Sequence, residues 1–436
     1  MRTLVVALVV ATGCGGEALD SEGLQSGGAA GASGQAGMAQ GGTTARPVVP
    51  AQGGDGEPGR DGGAGSGDPT GAGGSASGPL LAILGSEESY GAVALSEDER
   101  FVAFVAPDNS LVPGDSGHVD VFVRDIAEAT TERISVGVEG EPANGDSLLG
   151  VAISADGRFV AFASAASNLV ADDSNGVADV FVRDRELRTT RRVSIASNGD
   201  EADEGVFWSD RISISADGQV VSFTGRAQNL VPGPAQHTDV FVHDLETGLT
   251  ERVPPEGAGG SAGGSAGEAT LSADGRFVAF GTTSQLLPAD TDDMRDVYLY
   301  DRTAGELSLA SVSSSGEPLS GWAMFPVWLG QRLMFYAGEP ETLYARDLES
   351  GEVEQLVDVA YDGYGAASAD GGVIAYAPES NEIRMKETVS DESTPVVSKS
   401  PLNTFDAFPH QLSLSGQARW IAFCTLESCQ LLETEF

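Results

Sequence analysis

Apolar runs and turn segments alternate along the chain from about residue 79 to the end. Seven segments of this region share one ten-residue pattern without gaps, four of them nearly the same and three weaker. They are LSEDERFVAF from Leu95, ISADGRFVAF from Ile153, ISADGQVVSF from Ile214, LSADGRFVAF from Leu271, VWLGQRLMFY from Val327, ASADGGVIAY from Ala367 and LSGQARWIAF from Leu414. The recurrence of one pattern at similar intervals along the chain is typical of repeat architectures. The chain therefore contains seven repeat units.

Each unit carries the signals of four strands. The tetrapeptide Ser-Ala-Asp-Gly predicts a tight turn, and an apolar run such as FVAF follows it. A loop then leads to a second apolar run, such as DVFVRD from Asp179, and a turn such as DLETG (244–248) leads to a last strand. Runs that are apolar throughout are typical of strands that are buried on both faces.

The repeats predict an all-β fold, because no amphipathic helix pattern follows residue 79. Blades stacked around an axis bury both faces of their sheets without helices. We therefore predict a seven-bladed β-propeller of four-stranded antiparallel blades over residues 79–436, with six blades as the alternative. The seventh unit ends after three predicted strands. The apolar run Leu80–Leu84 is predicted to pair with the strand 430–436 and close the ring, which removes exposed sheet edges.

Residues 1–13 have the pattern of a secretory signal peptide. Arg2 precedes the apolar run LVVALVVA (4–11), which is too short to span a bilayer. The run leads into Ala11-Thr12-Gly13-Cys14, which resembles the lipobox of bacterial lipoproteins. This resemblance implies that Cys14 is lipidated, and that the protein is exported and anchored in the outer membrane, on its periplasmic side or at the cell surface.

Residues 14–78 are predicted to form a lipidated, disordered tether. Gly, Ala, Ser, Gln and Pro dominate this stretch, which cannot bury enough apolar surface to offset its chain entropy. The whole chain has 65 acidic and 24 basic residues and a net charge of −41. Such a charge repels nucleic acids and anionic membrane surfaces. We therefore expect a monomer that binds no nucleic acid and contacts the membrane only through its lipid.

The SADGRFVAF and DVFVRD repeats resemble the WD40-like (PD40) repeats of the TolB-type propeller family, over about residues 80–436. The resemblance implies the propeller fold. Members of the TolB type have an additional N-terminal α/β domain and usually six blades, whereas this chain has a tether and seven units. The role of TolB in envelope integrity therefore does not follow from the resemblance.

The sequence offers no convincing catalytic residues. The strings GDSG (114–117) and GGSAG (259–263) match short nucleophile motifs, but both lie in loops without the partners that such a motif needs. His410 is predicted on the innermost strand of blade seven, facing the axial channel. His243 is predicted to be a surface turn residue.

The loops between the second and third strands of blades two and four are rich in oxygen ligands. Carboxylates spaced by one residue suit a hard cation, while the same residue types also cap tight turns. Turn capping is the favoured interpretation, and one or two weak calcium sites are the alternative. The better calcium candidate is Asp172, Asp173, Asn175 and Asp179 in blade two, and the next is Asp290, Asp292 and Asp296 in blade four.

Cys424 and Cys429 are predicted to form a disulfide. They flank a four-residue Thr-Leu-Glu-Ser turn between two predicted antiparallel strands, which brings their Cα atoms within reach of a disulfide. Export places them in an oxidising compartment.

Two functions remain open at this point. The favoured one is a non-enzymatic, lipid-anchored binding or scaffold protein of the envelope or cell surface, which presents a propeller face to a protein or glycan partner. The alternative is a propeller enzyme, a hydrolase or lyase acting on an envelope or extracellular glycan or lactone, with its reactive groups at the axial channel.

Overall fold

Each repeat unit folds into one antiparallel sheet in the computed structural model of the chain. The structure describes residues 92–434 except for 108–110, 115, 207–210, 234–237, 256–265, 339–341, 359–364, 380–381, 390–392, 399–410 and 425–428. Seven sheets with meander order form a seven-bladed propeller, and the described residues contain no helix. It follows that none of them forms a helix able to cross a membrane. The predicted fold class is thus confirmed.

The first four blades contain four strands each. Blade one has β1 (Val93–Leu95), β2 (Phe101–Pro107), β3 (Val119–Asp125) and β4 (Thr130–Arg133). Blade two has β5 (Ser147–Ile153), β6 (Phe159–Ser164), β7 (Asp179–Asp184) and β8 (Thr189–Arg192). Blade three has β9 (Ser213–Ile214), β10 (Val220–Gly225), β11 (Asp239–Asp244) and β12 (Leu249–Val253). Blade four has β13 (Ala266–Leu271), β14 (Phe277–Thr282), β15 (Asp296–Asp301) and β16 (Glu306–Leu309).

The last three blades repeat this plan. Blade five has β17 (Ala323–Leu329), β18 (Arg332–Ala337), β19 (Thr342–Asp347) and β20 (Val353–Asp358). Blade six has β21 (Gly365–Ala367), β22 (Val373–Glu379), β23 (Glu382–Glu387) and β24 (Ser393–Ser398). Blade seven shows β25 (Gln411–Leu414), β26 (Trp420–Cys424) and β27 (Cys429–Glu433). The run Leu80–Leu84 lies outside the described residues, so the closing strand stays a prediction.

The hydrophobic core consists of seven clusters, and each cluster lies between two neighbouring blades. Aromatic residues of the second and third strands meet across the sheets of blades one to five, as in the pair Phe162–Phe181 with ring centroids 5.8 Å apart. Because every blade packs against a neighbour on both faces, its two central strands must be apolar on both faces. This requirement explains the continuous apolar runs of the sequence.

Blade seven packs directly against blade one. Trp420, Ala422 and Leu431 share a core cluster with Val93 and Phe104 of blade one. The turn of blade seven is also bonded to Glu99, whose Oε1 accepts hydrogen bonds from Ser415 Oγ at 2.8 Å and from the backbone of residue 417 at 3.1 Å. The ring of blades is therefore closed by side-chain contacts between its two ends.

The antiparallel order gives the disc two different faces. We call the end with the Ser-Ala-Asp-Gly turns, between first and second strands, the lower face. The loops between second and third strands and the connections between blades lie at the other end, the upper face. On the lower face the turns bond to one another: Ala155 N donates to Ala216 O at 3.0 Å, and Ala216 N to Ala273 O at 2.8 Å.

Candidate functional site

The third strand of each of the first four blades carries an Asp at its upper-face end: Asp120, Asp179 and Asp296 are buried and Asp239 is half-buried. In blade one, Asp120 accepts a hydrogen bond from Ser135 Oγ at 2.5 Å and lies 3.2 Å from Nε of Arg133. In blade three, Asp239 lies 3.6 Å from Nε of Arg252. Burial of a carboxylate is costly unless a positive charge and hydrogen bonds compensate it. In blades one, two and three an arginine from the fourth strand supplies that charge.

The predicted calcium residues of blade two surround such an arginine. Nη1 of Arg192 lies 3.3 Å from Asp179 and 3.4 Å from Asp173. Its Nη2 donates to the main-chain carbonyl of Asp172 at 2.5 Å, and Nδ2 of Asn175 donates to Asp179 at 2.9 Å. The structure therefore brings these residues together, but the guanidinium already provides the positive charge that a metal ion would bring. This cluster is the weaker of the two calcium candidates.

Blade four departs from this arrangement. Arg133 and Arg192 stand opposite Phe122 and Phe181 in the pairing of third and fourth strands. The same position, opposite Tyr298, is occupied by Leu309 in blade four. The buried carboxylate of Asp296 keeps its serine, since Ser311 Oγ donates to it at 2.5 Å. It has no arginine of the fourth strand beside it.

Two further carboxylates gather at Asp296 instead. Asp290, Asp292 and Asp296 offer oxygen atoms that all lie within 4.8 Å of one another. The hydroxyl of Tyr298 donates to Asp290 Oδ2 at 2.5 Å and fixes that side chain. Burial, with the charges of Asp290 and Asp292, raises the pKa of Asp296 to about 6. The arrangement, which we call the blade-four cluster, has the donor set and the charge that a hard cation such as calcium requires.

Two large apolar side chains are exposed beside the blade-four cluster. Met294 is 37% exposed and its backbone N donates to Asp292 Oδ1 at 2.8 Å. Trp322 is 45% exposed, and the next residue, Ala323, donates its N–H to Arg295 O at 2.7 Å. That bond joins the two loops. Sequence reasoning missed this pair, because the exposure of a Trp depends on which neighbouring blade covers it.

The axial channel is lined by the innermost strands of all seven blades and encloses about 290 Å³. Its described lining is made of small and aliphatic residues, with the hydroxyls of Ser213, Thr270 and Ser413 and a single charged residue, Arg211. On the innermost strand of blade four, Glu268 accepts a hydrogen bond from the backbone N of Phe325 at 2.9 Å and lies 3.4 Å from Nη2 of Arg295. Both of its oxygens are thus engaged within the protein.

The histidines form no catalytic group within the described part of the chain. Nδ1 of His118 lies 3.0 Å from Asp146 Oδ1, but the hydroxyl of the nearby Ser116 donates to Asp120 at 2.6 Å. The prediction that His243 lies at the surface was wrong. Its ring is buried against Thr250, 2.9 Å away, because this strand position faces blade two rather than solvent, and burial lowers the pKa of His243 to about 4. His410 lies outside the described residues.

The two C-terminal cysteines stand directly opposite each other in the register of β26 and β27, where Cys424 pairs with Cys429. The disulfide stays a prediction, because the structure describes only the backbone at these positions. Cys14, the predicted lipidation site, lies outside the described residues.

Comparisons with known proteins identify the fold and nothing finer. No family model matches the sequence, and no curated protein does. Among solved structures, an oligogalacturonate lyase in complex with manganese is 14% identical, with a TM-score of 0.55, and the match covers 80% of this chain and 90% of that one. The oligogalacturonate lyase of Vibrio parahaemolyticus gives the same TM-score and coverage at 12% identity. TolB from Acinetobacter baumannii matches at 15% identity and a TM-score of 0.42, over 70% of this chain and 65% of that one. The likeness to the two lyases shows the propeller fold alone, and the function of this chain must be argued from its own residues.

Proposed function

We propose that this protein is a lipid-anchored binding protein of the bacterial cell envelope, which holds a protein or glycan ligand on the upper rim of blades four and five. One observation carries the proposal: the exposed side chains of Trp322 and Met294 lie beside the blade-four cluster. Exposed Trp residues are rare on surfaces without a partner and are over-represented among the residues that dominate binding energy.

Calcium in the blade-four cluster is part of the proposal. In blades one, two and three an arginine balances the buried Asp, and in blade four Leu309 leaves Asp296 with two additional carboxylates. A divalent cation would restore the balance of charge and would be completed by carbonyl oxygens or water, since calcium takes six to eight oxygen ligands. The ion would also fix the loop that carries Met294.

The anchoring part of the proposal rests on the sequence. A signal peptide over residues 1–13, lipid on Cys14 and a tether over residues 14–78 would hold the propeller at the outer membrane without fixing its orientation. A flexible tether suits a protein that must meet a ligand from several directions. Mass spectrometry of the mature N-terminus tests this part separately.

The binding face is tested with single substitutions. Protein immobilised through its C-terminus is exposed to envelope extracts and to a glycan array, in millimolar calcium and in EDTA. We expect Trp322→Ala to lose at least 90% of the retained ligand, and EDTA to have a similar effect. Val389→Ala is the matched control, because Val389 is 93% exposed on the lower face. Equal retention by the two variants would contradict the proposal.

An enzyme of the lyase or hydrolase type remains the second candidate, because the structures of oligogalacturonate lyases share this architecture. Such an enzyme needs a free acid or base at the channel. The carboxylate of Glu268, on the innermost strand of blade four, is bonded to Phe325 N and lies beside Arg295. This engagement favours the binding function. Assay of oligogalacturonate cleavage with and without manganese separates the two functions, and any turnover that Glu268→Gln abolishes would favour the enzyme.

A further inference from the structure

The lower face is irregular at the junction between blades four and five. At three earlier junctions a turn glycine lies tightly against the preceding blade: a Cβ at Gly157 would come within 2.1 Å of Phe101, and one at Gly218 within 2.2 Å of Phe159. Blade five carries Trp328-Leu329-Gly330-Gln331 at the equivalent positions. Since Leu329 pairs with Arg332, this segment forms a two-residue hairpin and does not fold over the preceding blade.

The irregular junction contains a hollow of about 350 Å³, lined by residues of both blades. Its aromatic wall is the pair Phe277–Trp328, with ring centroids 6.2 Å apart. Phe101 in blade one and Phe159 in blade two correspond to Phe277, and each of them is covered by a turn of the next blade. The hollow thus occupies the space that a turn of the next blade fills elsewhere in the ring.

Two hydrogen-bond donors of the hollow have no acceptor. The series of bonds from Ala155 N to Ala216 O and from Ala216 N to Ala273 O ends at Ala273, whose own N–H has no acceptor in the part of the chain that the structure describes. The indole Nε1 of Trp328 is buried and also without a partner there. An unpaired buried donor such as this indole is rare in folded proteins, whereas Ala273 is an exposed residue. Both residues line the hollow, which therefore calls for an occupant that brings acceptors.

The rim of the hollow is acidic. Asp274, Asp347 and Glu349 line it, and the guanidinium of Arg276 is already bound to Asp301 at 2.5 Å. A basic residue on the occupant would therefore be favoured, and the net charge of −41 on this protein adds to the attraction.

We propose that this hollow binds a tight turn of a partner protein, which places a small residue on the Phe277–Trp328 wall and a main-chain carbonyl on Ala273 N–H. The turn takes the place of the missing Ser-Ala-Asp-Gly turn, and a basic residue next to it faces the acidic rim. The inference is independent of the ligand proposed for the upper face, because the two surfaces lie on opposite faces of the disc.

The test uses a disulfide-closed peptide with the sequence Ser-Ala-Asp-Gly-Arg, which occurs in the protein at 154–158, and a scrambled peptide as its control. Binding to the purified protein is followed by calorimetry and by NMR of the indole N–H groups. The chain has four Trp residues, so the signal of Trp328 is assigned with Trp328→Phe. We expect saturable binding of the closed peptide alone, with a shift of the Trp328 indole signal.

Two variants locate the binding. Gln331→Trp fills the hollow and should weaken binding at least tenfold, whereas Gln417→Trp, on the exposed turn of blade seven, should leave it unchanged. Absence of saturable binding at millimolar peptide, or equal affinities for the two variants, would overturn the proposal. So would a self-association of the wild-type protein that Gln331→Trp abolishes, because it would assign the hollow to a second copy of the chain.

Discussion

At the residue scale, two turn glycines of blade two, Gly157 on the lower face and Gly176 on the upper face, differ in what surrounds them. Gly157 has φ of 72° and its missing Cβ leaves room for Phe101, whereas Gly176 has φ of 69° and nothing within 4 Å of a Cβ. Both positions need the left-handed conformation that favours glycine. Only the first also belongs to the packing between blades.

This difference predicts unequal costs for the same substitution. Gly176→Ala should lower the free energy of unfolding by about 1 kcal/mol, the cost of the backbone conformation alone. Gly157→Ala should lower it by about 2–4 kcal/mol, because the new methyl also displaces the Phe101 ring. Urea unfolding of the two variants decides it. Equal losses would show that the turn does not pack against blade one.

The carboxyl of Asp296 predicts a pH dependence. Its pKa in the folded protein is raised to about 6, so the ionised form destabilises the fold at pH values above 6, and the penalty fades as the pH falls towards the unfolded pKa. Without calcium, Asp296→Asn should therefore stabilise the protein by up to about 3 kcal/mol at pH 7.5. The gain should be small at pH 4. Denaturant unfolding of both proteins between pH 4 and 7.5 measures this gain in stability. A gain that does not change with pH would contradict the raised pKa of Asp296.

At the element scale, much of the fold could be predicted because each blade is buried on both faces. That burial leaves continuous apolar runs such as FVAF and a fixed turn tetrapeptide, which the sequence displays directly. Contacts between blades are harder to predict. The burial of His243 and the exposure of Trp322 depend on the neighbouring blade, and no local pattern encodes them. The hairpin at Leu329–Arg332 has the length of the other turns, so the gapless alignment concealed its different geometry.

Only part of the candidate site could be predicted from the sequence, because its contacts also depend on how the strands pair. The carboxylates of both acidic loops are visible in the sequence, but the role of Arg192 requires the pairing of third and fourth strands. With that pairing known, Leu309 in place of an arginine is a sequence signal. Comparison of the repeats at this position would have separated the two calcium candidates.

The predicted closing strand lies outside the described residues and can be tested by deletion. If Leu80–Leu84 supplies the fourth strand of blade seven, deleting residues 79–86 reopens a sheet edge and exposes an apolar run. We expect the melting temperature to fall by at least 10 °C. Deletion of eight residues from the Gly-rich stretch at 59–66 is the control and should have no effect. A harmless deletion of 79–86 would place the closing strand elsewhere.

The paired cysteines give a second prediction at this scale. Residues directly opposite each other in an antiparallel pair have Cα atoms about 4.5–5.5 Å apart, within the range of a disulfide. We expect the mature, denatured protein to show no reactive thiol from Cys424 and Cys429 until a reductant is added. Because the closed loop is short, reduction should cost at most about 2–3 kcal/mol. Two thiols that react without reductant would refute the bond.

At the scale of the whole molecule, the propeller is a ring of similar blades in which blades four and five depart from the pattern on both faces. On the upper rim of blade four, Leu309 stands where blades one to three have an arginine, and Asp290 and Asp292 gather at Asp296 with the exposed Trp322 and Met294 nearby. The lower face has a hollow at the same junction. Repetition supplies the stability of the ring, and we propose that the departures from repetition mark where it binds.

The most direct test is the melting temperature of the purified protein in 10 mM calcium chloride and in sodium chloride of equal ionic strength. For a dissociation constant on the order of 10⁻⁴–10⁻³ M, binding to the folded state stabilises it by about 1.4–2.7 kcal/mol. We predict that calcium raises the melting temperature of the wild type and of Asp172→Asn, a matched change in blade two. The double variant Asp290→Asn with Asp292→Asn should not respond to calcium. If calcium and sodium act alike on the wild type, or if the double variant responds equally, the blade-four cluster holds no cation and the central claim is contradicted.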